Sequence, residues 1–260
     1  MQVFLKHKDR SYTKDDFIGI LRDLGIKKND CICVHTEIFK LGIPLVSKEE
    51  FLRILLEGFL EVLGTQGTLI MPTFTYSFCK NQAYDKVHSK STMGILTEYF
   101  RRQKGVLRTN DPIFSFALWG AKSKEFLSEN QSCFGENCVY ESLYKNNGKI
   151  VLFGTEHLGY TFTHFIEEQA RVSYRYFKEF RGILIDEHGQ KFEKSILYFV
   201  RHLDRNSTVS LEKQIKILKE SHNFKSLEFG GAHLVLIRAK EYFEVCLKAL
   251  KKDENALLLD

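Results

Sequence analysis

His164 and Glu167 stand three residues apart in a helix-forming run, THFIEEQA, that follows the apolar segment GKIVLFG (148–154). That spacing puts both side chains on one helix face. A carboxylate one turn from an imidazole can fix its tautomer and stabilise its protonated form, the arrangement a general base requires. By spacing alone, the pair also fits an ordinary contact at the surface of a helix N-terminus. His35 ends a second apolar run, CICVH (31–35), and suits either a ligand contact or a hydrogen-bonded structural histidine. A third run, GTLIMPTF (67–74), opens at Pro72 into Thr73, Thr75 and Tyr76. Asp111–Pro112 offers a substrate carboxylate or a turn initiator. Tyr174, Tyr176 and Phe177, at near-helical spacing, are expected in the core.

Several other chemistries lack their signatures. The chain contains no G-x-x-x-x-G-K-[ST] phosphate loop, no G-x-G-x-x-G after a strand, no G-x-S-x-G and no H-E-x-x-H. Six cysteines (31, 33, 79, 133, 138 and 246) form no C-x-x-C pair, and none has a histidine at zinc-finger spacing. They are expected to be reduced, mostly buried and non-catalytic, and no metal is expected.

The elements that must position these residues alternate. Residues 13–26 carry one apolar helical face behind Thr13, a candidate N-cap. Ser47 and Glu50 form a capping-box pattern ahead of a second helix that Gly64 closes. Helices are also expected at 93–105, at 123–130 (short), from 163, at 211–221 and at 240–252. Strands are expected at 31–35, 67–74, 114–120, 148–154 and 230–239. A β-hairpin is expected over 181–200, turning at His188–Gly189–Gln190. The alternation indicates a layered α/β fold with helices covering a largely buried sheet, and a C-terminal third that adds antiparallel strands to the same core. In open α/β sheets ligands collect beyond the carboxyl ends of strands, where His35, Thr73 and the approach to His164 fall. No linker composition interrupts residues 1–260, so one domain is expected.

The 260 residues are 43% hydrophobic and 27% charged, which excludes a disordered or low-complexity chain. No apolar run is long enough to span a bilayer, and the N-terminus is too polar for a secretory signal, so a soluble, cytoplasmic protein without a membrane partner is expected. The net charge of +5 favours anionic small molecules. Lys and Arg are scattered rather than striped, so no nucleic-acid partner is expected. Oligomeric state is not legible.

Six stretches together resemble the aminoglycoside N3-acetyltransferases, a family distinct in fold from the GNAT acetyltransferases: VHTEIFKLG (34–42), GTLIMPTFTY (67–76), 93–120, CFGENCVYESL (133–143), GKIVLFGTEHLGYTFTHFIEE (148–168) and 230–250. The resemblance implies an α/β/α fold with a mixed central sheet. It also implies acyl transfer from acetyl-coenzyme A, or another acyl-coenzyme A, to the amine of an amino sugar. By motif match it implies His164 as general base, Glu167 orienting it and Thr73 beside the reacting centre. His35, Thr36, Leu41, Gly42, Met93, Gly94 and Ser115 match segments lining the coenzyme A cleft. Tyr76, Asp111, Phe114 and Glu168 fall on the acceptor side. Many antibiotic-modifying members carry two histidines where this chain has Asp111 and Phe114. That departure resembles relatives acting on nucleotide-linked amino sugars in surface-glycan synthesis. The net positive charge also suits an acceptor with a diphosphate better than a polycation. A nucleotide-linked amino sugar is therefore the expected acceptor, with an aminoglycoside, and hence antibiotic resistance, as the alternative. A continuous acidic wall containing Asp85, Asp111, Glu136 and Glu168 would favour the aminoglycoside.

Overall fold

The computed structural model describes residues 2–260. In chain order the strands are β1 (Val3–His7), β2 (Arg10–Thr13), β3 (Cys31–Thr36), β4 (Ile43–Pro44), β5 (Thr68–Pro72), β6 (Tyr84–Asp85), β7 (Leu107–Arg108), β8 (Phe116–Gly120), β9 (Lys149–Phe153), β10 (Arg175–Ile185), β11 (Lys191–Arg201), β12 (Lys225–Phe229) and β13 (Ala232–Arg238). The α-helices are α1 (Lys14–Leu24), α2 (Lys48–Leu63), α3 (Ile95–Phe100), α4 (Val139–Lys145), α5 (Phe162–Ala170), α6 (Leu211–Glu220) and α7 (Ala239–Lys252).

A seven-stranded mixed sheet, ordered β12-β13-β9-β3-β5-β8-β7, is the frame. Its centre is parallel, with β3 between β9 and β5, and antiparallel strands complete both sides. Side chains alternate across a strand with period two. Accordingly Ile32, Val34, Val151 and Phe153 enter one core with α1 and α2, while Cys33, Ile150 and Leu152 enter the other with α4, α5 and α7. Apolar burial on both faces explains why these strands read as continuous hydrophobic runs. The α/β/α layering with a mixed sheet is as expected.

Local chemistry sets the helix ends. The Thr13 hydroxyl accepts the Asp16 N–H at 3.2 Å, and the Asp16 carboxylate accepts the Thr13 N–H at 2.7 Å. Ser47 caps α2 by accepting the Glu50 N–H at 3.2 Å, but the Glu50 carboxylate turns to Arg53 at 2.6 Å, so only half of that capping box forms. α1 lies close on α2 because residue 58 is glycine: a Cβ there would meet the Phe17 ring at 2.5 Å.

Three expectations change. The helix expected at 93–105 is only α3, because RRQKG after Phe100 offers no apolar side chain to hold further turns against the core. The segment 123–130 contributes a single 3-10 turn, Ser123–Phe126. The helix begun at 162 stops at Ala170, where Arg171 adopts a left-handed backbone with φ 55°. The chain then extends into β10, so Tyr174 is buried but Tyr176 and Phe177 face solvent. As expected, the C-terminal third adds antiparallel strands to the same core: β12 and β13 join the main sheet, and the β10–β11 hairpin pairs with β6 in a separate three-stranded sheet. The hairpin still packs Leu184, Ile196 and Phe199 into the α4–α5 core. The β1–β2 hairpin was not anticipated; with β4 it forms a third small sheet.

Candidate active site

Because β9, β3 and β5 are parallel, their carboxyl ends share one edge of the sheet, with Thr36 of β3 directly opposite Phe153 of β9. Beyond that edge lies a cleft of about 330 Å³. His35, Thr36, Met93 and Gly94 line it, together with Thr155 and Thr161 on the approach to α5. Two residues matched to the cleft are elsewhere. Leu41 is fully buried in the α1–α2 core, and Gly42 lies against the Lys6 carbonyl with φ 142°. Ser115 is also fully buried, its hydroxyl donating to the Thr73 carbonyl at 2.7 Å.

His35 is almost wholly enclosed. Its Nε2 lies 3.3 Å from the Tyr140 hydroxyl and 4.0 Å from the Cys33 sulfur, while its Nδ1 is buried without a partner. Burial with no anion nearby pushes its pKa down to about 4. Gly159 presses on it, since a Cβ there would meet the His35 Cβ at 2.7 Å in a backbone with φ 95°.

His164 has different company. α5 presents it with a 27% exposed side chain, and Nδ1 sits 3.0 Å from Glu167 Oε2. Its Nε2 meets no protein partner among the described residues. Glu167 is fully buried and holds three contacts: His164, Arg175 Nη2 at 2.8 Å to the same oxygen, and the Tyr174 hydroxyl donating to Oε1 at 3.1 Å. Burial pushes the Glu167 pKa up, but the His164 hydrogen bond and the Arg175 charge outweigh it and leave the group below its ordinary value. Burial lowers the His164 pKa, the Glu167 hydrogen bond works against that, and Arg175 lowers it further; the net direction is down. The arrangement favours the neutral imidazole, with Nδ1 anchored and Nε2 unpaired among the described residues.

An aromatic wall flanks this base. The Phe134 ring is 5.3 Å from the His164 ring and the Tyr198 ring 6.4 Å, while Phe114 stands 4.6 Å from Phe134 and 5.0 Å from Tyr198. Tyr76 packs on Phe114 at 5.5 Å and carries a left-handed backbone, φ 55°, uncommon for a bulky residue. Phe114 itself is buried and shapes the wall from behind. Asp111 points inward: its Oδ1 accepts the N–H groups of Ile113 and Phe114 at 2.8 and 2.7 Å, and burial raises its pKa. Thr73 is also inside. Its hydroxyl donates to the Ser115 carbonyl at 3.1 Å and receives Arg108 Nε at 3.2 Å, so it is not presented to a reacting centre.

The acidic residues do not form one wall. Glu136 and Glu168 line a cavity of about 470 Å³ with Glu129 and Arg171. Glu168 accepts the Ser132 hydroxyl at 2.9 Å, and burial raises its pKa. Asp85 caps its own turn by accepting the Val87 and His88 N–H groups at 2.9 and 2.8 Å. Of the cysteines, only Cys79 is exposed; burial raises the pKa of the Cys33 and Cys133 thiols well above the usual value. Among the described residues no group of three or more His, Cys, Asp or Glu side chains could hold a metal ion, and no helix is long and apolar enough to cross a membrane.

Sequence reasoning missed Tyr174, Arg175 and Tyr198. All three come from or just before the hairpin, and their contacts with α5 have no local sequence signature.

The family model for aminoglycoside 3-N-acetyltransferase matches residues 33–251, most of the chain. The protein belongs to that family. As an aminoglycoside 3-N-acetyltransferase family member it is an N-acetyltransferase by descent. The aminoglycoside N(3)-acetyltransferase IV of Salmonella sp is 25% identical over 247 residues, covering 93% of this chain and 88% of its own. The solved structure of AAC-IIIb binary with CoASH superposes with a TM-score of 0.79 at 19% identity, covering 93% of this chain and 97% of that one. The structure of AAC-VIa bound to sisomicin gives a TM-score of 0.80 at 18% identity, covering 93% and 98%. At such identities the two structures establish the family fold.

Proposed function

We propose that the protein transfers an acetyl group from acetyl-coenzyme A directly to an amine of an aminoglycoside-type amino sugar, with His164 as general base. The observation that carries this reading is the pair in which Glu167 fixes His164 Nδ1 while Nε2 stays free. A sugar amine is largely protonated near neutral pH, and only its neutral form has a lone pair for the thioester carbonyl. In the step the new N–C bond forms, the C–S bond breaks, coenzyme A leaves as thiolate, and the amine proton passes to His164 Nε2. A positioned base of this kind contributes about 10²–10⁴ in rate. Five of the six thiols are buried, and burial raises the pKa of the exposed Cys79 as well, so an acyl-cysteine intermediate is a poor route, which supports direct transfer. The cleft beyond β3 suits the donor: Thr36, Met93, Gly94 and Thr155 offer an apolar channel edged with hydroxyls and backbone. The AAC-IIIb structure with CoASH supports coenzyme A as that donor.

The acceptor class is supported by the relatives' names and by the sisomicin held in the AAC-VIa structure. They favour an aminoglycoside over the nucleotide-linked sugar that charge and the Asp111 motif suggest. That second reading keeps one specific observation in its favour. The chain is net positive, and Asp111 and Asp85 are turned into their own loops instead of facing a polycation. Thiol release from acetyl-coenzyme A, measured side by side with sisomicin or gentamicin and with dTDP- or UDP-linked amino sugars, decides between them. Turnover with the antibiotics supports the first reading; turnover confined to the nucleotide sugars replaces it with the second. No thiol release with any amine removes both.

A further inference from the structure

The Glu167 carboxylate has more partners than a simple histidine–carboxylate pair needs. Oε1 accepts the Tyr174 hydroxyl at 3.1 Å, and Oε2 is shared between His164 Nδ1 at 3.0 Å and Arg175 Nη2 at 2.8 Å. The Arg175 guanidinium is buried, is braced by Nη1 donating to the Phe199 carbonyl at 3.1 Å, and leaves Nε with no partner. Burying a guanidinium with an unmet donor is costly, so its placement calls for a compensating role. Its only carboxylate among the described residues is Glu167.

We infer that Tyr174 and Arg175 are positioning residues for the base: they hold both oxygens of Glu167 so that it orients His164 without driving the imidazole into its protonated form. This inference rests on the reading of His164 as the base. A lone buried carboxylate beside an imidazole strongly favours imidazolium, and an imidazolium cannot take a proton from an amine. A second cation on the same oxygen offsets that pull and repels a proton on His164, in keeping with the direction of its pKa. The groups facing His164 are few. Its own helix supplies Glu167, β10 supplies Arg175, β11 supplies Tyr198, and the 131–138 segment supplies the uncharged ring of Phe134. Glu168, on the same helix, is tied to Ser132 instead. Tyr174 acts differently: a neutral donor on Oε1 stops the carboxylate from rotating.

The test reads His164 directly, by NMR titration of its imidazole in the full-length protein, with His164→Gln to assign the signal, alongside the pH profile of kcat/KM for thiol release. Arg175→Gln should move the His164 midpoint and the acid limb of the profile upward by about one pH unit. Arg175→Lys, which keeps the charge and loses the fork, should leave the midpoint near native while lowering kcat. Tyr174→Phe should lower kcat roughly tenfold with KM for both substrates within about twofold. A folded Arg175→Gln protein with an unmoved or lowered midpoint overturns the inference. If that variant does not fold, native kcat in both Arg175→Lys and Tyr174→Phe overturns it, and reduced kcat at native KM supports it. A midpoint shift in a protein that never releases thiol would sustain the positioning role and remove the acetyl-transfer reading. Native-like turnover without a shift would do the reverse.

Discussion

His35 lies in β3 and His164 on α5, the helix after the neighbouring parallel strand β9, and burial lowers the pKa of both. Their partners differ. His35 meets a phenol and a thiol, both neutral, and keeps one ring nitrogen sealed away with no partner. His164 meets a carboxylate whose charge is shared with a guanidinium, and its side chain is 27% exposed with Nε2 unpaired among the described residues. An imidazole becomes a usable base through an anion that anchors one nitrogen and space at the other, and only His164 has both. Proximity to the sheet edge does not distinguish the two.

The comparison breaks most visibly at His164. His164→Ala should lower kcat by about 10²–10⁴ with little change in KM; a fall below roughly threefold would give the two histidines equal standing. Next in size is Glu167→Gln, which removes the group that favours the protonated imidazole. Thiol-release kinetics should show kcat down about tenfold to a hundredfold and the acid limb at lower pH. The same change leaves Arg175 buried without its anion, so denaturant unfolding should show a loss of about 3–5 kcal/mol.

Stability against pH sharpens the contrast from the other side. The His35 pKa is depressed to about 4 in the fold against 6.5 for a free imidazole. The unfolded chain therefore binds the extra proton first. The stability tied to neutral His35 is fully present above about pH 6.5 and is lost as pH falls toward about 4, a span worth about 3 kcal/mol. His35→Phe, which cannot protonate, should flatten the native fall in denaturant midpoint between those limits; an unchanged slope would show that His35 is not the sensor. The smallest effect should be on turnover in His35→Gln, with kcat within about threefold of native. A loss approaching that of His164→Ala would make His35 a second reacting group.

Much of this site was legible in the chain. The three strand ends and the His164–Glu167 spacing are local patterns, and parallel pairing brings the ends together with no further information. Thr13, Ser47 and Gly64 announced their helix boundaries because capping is also local. The rest depended on contacts between distant segments. Arg175 lies in a stretch whose aromatic spacing imitates a helix, and only the left-handed Arg171 shows where the helix ends. Thr73, Asp111 and Ser115 sit in segments that face the site, but sequence cannot show that their side chains turn inward to one another and to backbone. Leu41 and Gly42 belong to a matched string whose residues from His35 to Phe39 reach the cleft, while Leu41 fills a core and Gly42 packs against the Lys6 carbonyl.

The hairpin that supplies Arg175 and Tyr198 is also held partway along its second strand, where Leu197 exchanges hydrogen bonds with the 131–133 segment: Cys133 N–H to the Leu197 carbonyl at 2.9 Å and Leu197 N–H to the Gln131 carbonyl at 2.9 Å. Leu197 lies seven residues beyond Gln190, about 23 Å of extended strand from the turn. Length changes at the tip can be absorbed before they reach it. His188 and Gly189, exposed beyond the Glu187–Lys86 ion pair at 2.7 Å, thus form a natural port for spliced peptides, dyes or surface tethers.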